Sequence, residues 1–213
     1  MARNNGVTRN GKAFLEDRYE IRLSGSGGQG MITAGVILAE AISVGDNKNA
    51  VHTQSYGPEA RGGMARCDVV VSSNEIYFPE ATELDLLLAL TQESVDAYTH
   101  LLKPGGVLIV DSDFVKHKPD REYIEVPFVE TTREKLGATI ATNVVCLGFI
   151  AQHTKIVTKK SLESVLVERF PTKFEASNLK AIKLGYDLAK LIATNGNISG
   201  QLEESLETEI DRL

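Results

Sequence analysis

Two short stretches of this 213-residue chain carry residue types that could do chemistry. The first is Gly25-Ser26-Gly27-Gly28-Gln29-Gly30, where glycines permit a turn that residues with a Cβ make only with difficulty. It follows an alternating strand pattern, Tyr19, Ile21 and Leu23. It precedes Met31, Ala34, Ile37, Leu38, Ala41 and Ile42, which fall at helical spacing. Strand, glycine turn and helix form the first half of a βαβ unit, and the N–H groups at such a helix start suit an anion or a partner's carbonyl. Gly25, Gly27 and Gly30 also satisfy G-x-G-x-x-G, the spacing used around a dinucleotide pyrophosphate. That chemistry asks for an acidic residue about 20 positions further on, closing the second strand to hold a ribose. The second apolar run, Ala50-Val51-His52-Thr53-Gln54, ends in Gln54-Ser55, and Asp46 lies before it. A stand-alone Rossmann-like dinucleotide-binding oxidoreductase therefore lacks its ribose ligand. A tight turn that only packs helix against sheet fits the same residues.

The second stretch is Gln54-Ser55-Tyr56-Gly57-Pro58-Glu59-Ala60-Arg61-Gly62-Gly63. Gly-Pro and Gly-Gly bracket a loop that holds one acid, Glu59, and one base, Arg61. An arginine framed by glycines can present its planar fork to a carboxylate or a phosphate. Pairing with Glu59 to pin the loop is an equally good reading. Elsewhere the sequence offers little catalytic equipment. It has no G-x-S-x-G, no Walker A and no His/Cys cluster at metal spacing, and the G-D-G…N signature of thiamine diphosphate sites is absent because Gly45-Asp46 precedes Asn47. Cys67 and Cys146 are far apart and outside any C-x-x-C pair, which excludes a self-contained iron–sulfur or zinc site with the usual ligand spacing. They read as buried thiols in a reducing compartment.

The elements that must position these loops follow from patterning. The length supports a full core, and 42% apolar with 24% charged residues is ordinary for a soluble globular protein. A net charge of −6 argues against nucleic acid. The longest apolar stretch, residues 84–90, is broken by Asp85, so no membrane span is expected. The polar start lacks the apolar core of a signal peptide, which points to the cytoplasm. Strands are expected at 49–54, 66–73, 84–90, 107–110 and 123–128, with 74–79 as an antiparallel return or short edge segment. Helices are expected from residue 31 to Gly45, over 92–102 capped by Thr91 or Ser94 and stopped by Lys103-Pro104-Gly105-Gly106, and over 130–136, 142–153, 159–169 and 175–193. Asp111, closing its strand, is as readily a cap as a site carboxylate. The expected fold class is α/β, a three-layer α/β/α arrangement with a mostly parallel sheet and a helical C-terminal part. Residues 1–18 read as a flexible N-terminal arm, 19–194 as the domain and 195–213 as an acidic tail. The tail keeps a helical stripe of Leu202, Leu206, Ile210 and Leu213, suited to lying on the domain or docking a partner helix.

Taken together, in this order and spacing, the two loops resemble those of the gamma subunits of 2-oxoacid:ferredoxin oxidoreductases. The resemblance continues through Val69-Val70-Val71-Ser72, the I-x-x-P of Ile76 and Pro79, Leu84-Asp85 and Lys103-Pro104-Gly105-Gly106. It extends to Thr142-Asn143-Val144-Val145 with Leu147-Gly148, and to Asn178-Leu179-Lys180-Ala181 with Gly185, leaving both ends outside. The Y-G-P-E-x-R-G-G form is most similar to the 2-oxoglutarate member of that family. The resemblance implies a multi-subunit enzyme that decarboxylates a 2-oxoacid on thiamine diphosphate and passes electrons through iron–sulfur clusters to ferredoxin. The acyl group goes to coenzyme A. It implies that thiamine diphosphate and the clusters sit on alpha, beta and small ferredoxin-type subunits, and that this chain, inactive alone, receives coenzyme A at its rim. Carried onto this sequence, Gly25, Gly27, Gly28, Gln29 and Gly30 would form the first rim loop. Tyr56, Gly57, Pro58, Glu59, Arg61, Gly62 and Gly63 would form the second, with Arg61 meeting a coenzyme A phosphate or a partner carboxylate. Gln29 and the N–H groups of residues 28–30 would add neutral hydrogen bonds. A purely architectural adaptor, whose loops only bury against partners, stays open at this point.

Overall fold

The computed structural model describes residues 18–56 and 63–195. The N-terminal arm up to residue 17, the acidic tail from residue 196, and Gly57, Pro58, Glu59, Arg61 and Gly62 of the second loop lie outside the described residues. In chain order the elements are β1 (Tyr19–Ser26), α1 (Met31–Glu40), β2 (Asn49–Tyr56), β3 (Met64–Ser72), β4 (Leu84–Ala89) and α2 (Gln92–Tyr98). They continue with β5 (Leu102–Asp111), β6 (Ile124–Val126), α3 (Phe128–Leu136), α4 (Thr142–Thr154), α5 (Lys159–Arg169) and α6 (Glu175–Asn195). The strands form a single sheet in the order β2-β3-β1-β4-β5-β6. Neighbours β1/β4, β4/β5 and β5/β6 pair parallel, while β3 runs antiparallel to both β1 and β2. The α/β class with a mostly parallel sheet and a helical C-terminal part is what the patterning led to.

Two details differ from the strand assignments, and a third from the simple βαβ picture. β3 is inserted between β1 and β2, so the unit that starts at the glycine turn does not place its two strands side by side. Burial explains the order. Cys67, Val69 and Val71 of β3 are fully buried and need cover on both sides, whereas Asn49, Gln54 and Ser55 leave β2 suited to the edge. The second difference is residues 74–79, which form no strand. Both edges of β3 and of β1 are already paired, so an antiparallel return has no ladder to join. The segment is instead tied to its surroundings by hydrogen bonds from Asn49 to the Asn74 carbonyl and from Arg18 to the carbonyls of Phe78 and Glu80. Third, Lys103-Pro104-Gly105-Gly106 does not lie between elements. It is looped out inside β5, where the ladder with β4 jumps from Leu84↔Leu102 to Leu86↔Val107 and Gly105 takes a positive φ of 80°.

The layers are unequal. Helices α1, α3, α4, α5 and α6 cover one face and share the larger core with Leu23, Val69, Leu86, Leu88 and Ile109. Among the described residues, α2 and connecting loops cover the other face, over a smaller cluster that includes Leu87, Val95 and Val110. The seven-residue α2 is shorter than the expected helix, because a 3₁₀ turn (Thr99–Leu101) takes over after Tyr98. Among the described residues no helix is long and apolar enough to cross a membrane.

Candidate functional site

The carboxyl ends of the parallel strands are where open α/β sheets hold their ligands, and both glycine loops leave the sheet there. β1 ends at Ser26, opposite Met64 at the start of β3, and β2 ends at Tyr56, opposite Ala65. A backbone hydrogen bond of 2.8 Å from the Gly27 N–H to the Gly63 carbonyl ties one loop to the other. The two stretches therefore meet at one lip of the sheet.

The first loop is shaped by its own side chain. Ser26 N–H donates to Gln29 Oε1 at 2.7 Å, and Gln29 N–H donates to the Ser26 carbonyl at 3.1 Å. A Cβ on Gly25 would collide with that Gln29 oxygen, so the glycine leaves room for the glutamine to fold back. The side-chain oxygen of Gln29 thus closes the turn, a contact no local pattern announces. Gly28 and Gly30 hold φ values of 98° and 74°, which favour glycine strongly. Gly27 and Gly28 are exposed, and a Cβ on Gly28 would meet nothing within 4 Å, so another molecule can approach this backbone closely.

Two helices begin at the same corner. Gly30 precedes α1 without a side-chain cap, and Ala141 precedes α4 likewise; neither first turn contains an acidic residue. The leading N–H groups of α1 have no intrahelical partners, so its start carries partial positive charge, whereas at α4 the Thr142 N–H donates to the Thr139 carbonyl and the Val144 N–H to Asn143 Oδ1 at 2.9 Å. Asn143 joins them by donating from Nδ2 to the Gly30 carbonyl at 3.3 Å. Exposed apolar side chains flank the corner: Ile140, in the turn before α4, is 90% exposed and Tyr56, at the end of β2, is 70% exposed. On the opposite face, buried Ser24 and Ser94 share a 2.8 Å hydroxyl contact, and Thr91 Oγ1 lies 2.9 Å from Ser94 Oγ. Thr91 also accepts from Ser94 N–H, which makes it the cap of α2. The corner offers an anion a bed of backbone donors and offers a protein partner apolar contacts.

Asp111 resolves as a structural residue. Its Oδ1 accepts from Asp113 N–H at 2.9 Å and its Oδ2 from Val129 N–H at 3.0 Å, which serves the uncapped first turn of α3. Full burial pushes the carboxyl up to about 6, against the hydrogen bonds that favour its ionised form. Between the ordinary carboxylate value and 6 the folded chain holds a proton that the unfolded chain releases, so this group's contribution falls as pH rises through that window. Chemical unfolding of wild type and Asp111→Asn at pH 4 and pH 7 checks this. The balance should move toward the variant by up to ~3 kcal/mol at the higher pH; an unchanged difference contradicts it. Burial also raises both thiols, Cys67 to about 12 and Cys146 well above its ordinary value, which keeps them protonated and inert at neutral pH.

A dinucleotide fits poorly. With β3 between β1 and β2, the tip of β2 lies two strand spacings, about 10 Å, from the glycine turn. That tip carries Ser55 and Tyr56 and no carboxylate. The described residues bring together no group of three or more His, Cys, Asp or Glu side chains able to hold a metal. Asn143 is the site residue that sequence reasoning did not single out. The string Thr142-Asn143-Val144-Val145 was visible only as part of a family pattern, and nothing local links residue 143 to residue 30.

Comparison with known proteins agrees with this architecture. Residues 20–188 match the family described as pyruvate ferredoxin/flavodoxin oxidoreductase. The chain is 44% identical over 183 residues to the 2-oxoglutarate synthase subunit KorC of Methanocaldococcus jannaschii, covering 84% of this chain and 98% of that protein. Among solved structures, the gamma subunit of a keto/oxoacid ferredoxin oxidoreductase from Geobacter sulfurreducens superimposes with a TM-score of 0.75 at 44% identity, over 82% of this chain and 97% of that one. A 2-oxoglutarate:ferredoxin oxidoreductase from Magnetococcus marinus, solved with 2-oxoglutarate, coenzyme A and succinyl-CoA bound, gives 0.74 at 25% identity, over 83% of this chain and 32% of that one.

Proposed function

The chain belongs to the pyruvate ferredoxin/flavodoxin oxidoreductase family, and on that premise we propose that it is the gamma subunit of a 2-oxoglutarate:ferredoxin oxidoreductase, with its lip receiving coenzyme A. The choice of 2-oxoglutarate is supported by the 44% identity to a 2-oxoglutarate synthase subunit over almost its whole length. Thiamine diphosphate supplies the decarboxylation chemistry from a partner subunit, and iron–sulfur clusters on further partners carry the electrons toward ferredoxin. This chain binds and orients. The carrying observation is the corner where the uncapped start of α1 lies beside an exposed glycine backbone and is braced by Asn143 of α4, with no acidic residue in either first turn. Such a corner stabilises a phosphate by backbone donors and aligned dipoles. Arg61 of the second loop adds a charged contact to a coenzyme A phosphate. Tyr56 and Ile140 supply apolar surface for the neighbouring subunit.

The test is reconstitution. Co-expression with the alpha, beta and ferredoxin-type subunits should give reduction of ferredoxin that depends on 2-oxoglutarate and coenzyme A, while the isolated chain gives none. In that complex Arg61→Ala should raise the KM for coenzyme A about tenfold or more, the usual loss for a charge-assisted hydrogen bond. Assembly lost on changing Arg61, with an unaltered KM in any surviving complex, would mean an architectural adaptor. Micromolar binding of NAD, NADP or FAD to the isolated chain would overturn the subunit reading.

A further inference from the structure

We propose that Asn143 is a positioning residue that holds the first glycine loop in its anion-receiving form by fixing the peptide unit between Gly30 and Met31. The inference rests on the coenzyme A reading of the lip for its functional meaning, though not for its geometry. Asn143 is 7% exposed and sits in the first turn of α4. Its Nδ2 donates to the Gly30 carbonyl, a partner 113 positions away. A Cβ built on Gly30 would come within 2.6 Å of Nδ2 and 3.0 Å of Cγ, so the side chain lies directly against the Gly30 backbone.

Peptide planarity turns that contact into aim. The Gly30 carbonyl and the Met31 N–H belong to one trans peptide, so they point in opposite directions and cannot turn separately. Holding the carbonyl toward Asn143 and the Ala34 N–H, which donates to it at 2.9 Å, directs the Met31 N–H out of the helix start. The hold matters here because Gly28 and Gly30 sit in a left-handed region and can leave it without steric cost. An unheld loop would pay for ordering when the ligand arrives, which weakens binding. The residue type also follows. A carboxylate at this position would face the Gly30 carbonyl without a donor and would place negative charge where an anion is to bind, whereas an amide donates and stays neutral.

Two substitutions in the full chain, alone and in the assembled complex, test the proposal. Backbone amide exchange of residues 27–31 in the free chain reads the loop without any ligand, and coenzyme A titration of the complex reads its consequence. Asn143→Ala removes the bond to the Gly30 carbonyl, together with the one Asn143 Oδ1 accepts from the Val144 N–H within α4, and should speed exchange at Gly30 and Met31 about tenfold and weaken coenzyme A about five- to tenfold. Asn143→Asp should weaken coenzyme A further, about 30-fold at pH 8. Its deficit relative to wild type should shrink as pH falls, because a protonated carboxyl again donates to the Gly30 carbonyl. A role confined to filling space would leave the Asp deficit independent of pH. Unchanged exchange at residues 27–31 in both variants, or a pH-independent Asp deficit, overturns the proposal. Faster loop exchange in a chain whose wild-type complex does not bind coenzyme A would support the positioning role and reject the coenzyme A reading instead.

Discussion

Gly185→Leu is expected to yield no folded subunit, and Gly185→Ala a chain less stable by about 2 kcal/mol. A Cβ at Gly185 would run into the Val145 carbonyl oxygen and come within 2.7 Å of the Phe149 nitrogen. Both obstacles are backbone, so no rotamer change can relieve them. Gly148 faces α6 in the same way, with the Ile182 carbonyl in the space a Cβ would take. The two helices thus pack through a pair of glycines at backbone contact. A glycine inside a helix costs roughly 1 kcal/mol relative to alanine, so alanine at 185 recovers that much propensity. Forcing α4 and α6 apart costs more, since their packing fills the larger core around Val145, Phe149, Ile182 and Leu188. Leucine would need displacement on a scale that exceeds the ~5–15 kcal/mol stability of a typical domain. The consequence reaches the site because α4, with the turn before it, brings Ile140, Ala141 and Asn143 to the lip. Soluble yield and the midpoint of chemical unfolding check it, and an alanine variant as stable as wild type would show that the crossing is looser than it looks.

Asp68→Ala is expected to cost about 3–5 kcal/mol, the usual penalty for leaving a buried charge without its counterion. Arg22 is 2% exposed and bonds Asp68 through both Nε and Nη2, each at 2.6 Å, with a third bond to the Ala81 carbonyl. Its guanidinium lies 4.6 Å from the centre of the Tyr98 ring, and its Nη1 has no hydrogen-bond partner among the described residues. With the carboxylate gone the cation would be desolvated on all sides. Removing both partners is a different experiment. Arg22→Met with Asp68→Leu replaces the pair by apolar volume and should recover most of the loss. The pair joins β1 to β3 at Arg22↔Asp68, below the points where both glycine loops begin, so the single variant should also loosen the lip. Equilibrium unfolding of the two variants beside wild type decides the matter; a stable Asp68→Ala chain contradicts it.

The same pair shows where sequence reading reached its limit. The alternation of Tyr19, Ile21 and Leu23 with Glu20, Arg22 and Ser24 suggests a strand with one wet face, yet the polar residues are buried too. Their partners come from β3, α2 and the loop before β4, and only the β1–β3 register brings Asp68 opposite Arg22. Elements specified by local pattern were readable: α5 spans Lys159–Arg169, the range its sequence indicated, and the continuous apolar run at β4 is covered on both faces. What depends on competition between segments was not. The choice of β3 over β2 for the place beside β1 is a comparison of two strands' apolar faces. Lys103-Pro104-Gly105-Gly106 carries the residues of a helix stop and is used as a bulge, a distinction that only the neighbouring ladder makes. At the site, the glycines announced a turn, but the closure by Gln29 and the brace from Asn143 are matters of side-chain direction and topology.

The most direct test compares backbone amide exchange of the free chain with that of the assembled enzyme. If the lip is the face turned toward the other subunits and coenzyme A, residues 25–30 together with Tyr56, Gly63 and Met64 should exchange more slowly in the complex, and more slowly again with coenzyme A added. Full exchange at those amides in the complex, with protection appearing only over α5 or at residues 74–79, would place the working surface elsewhere on the molecule.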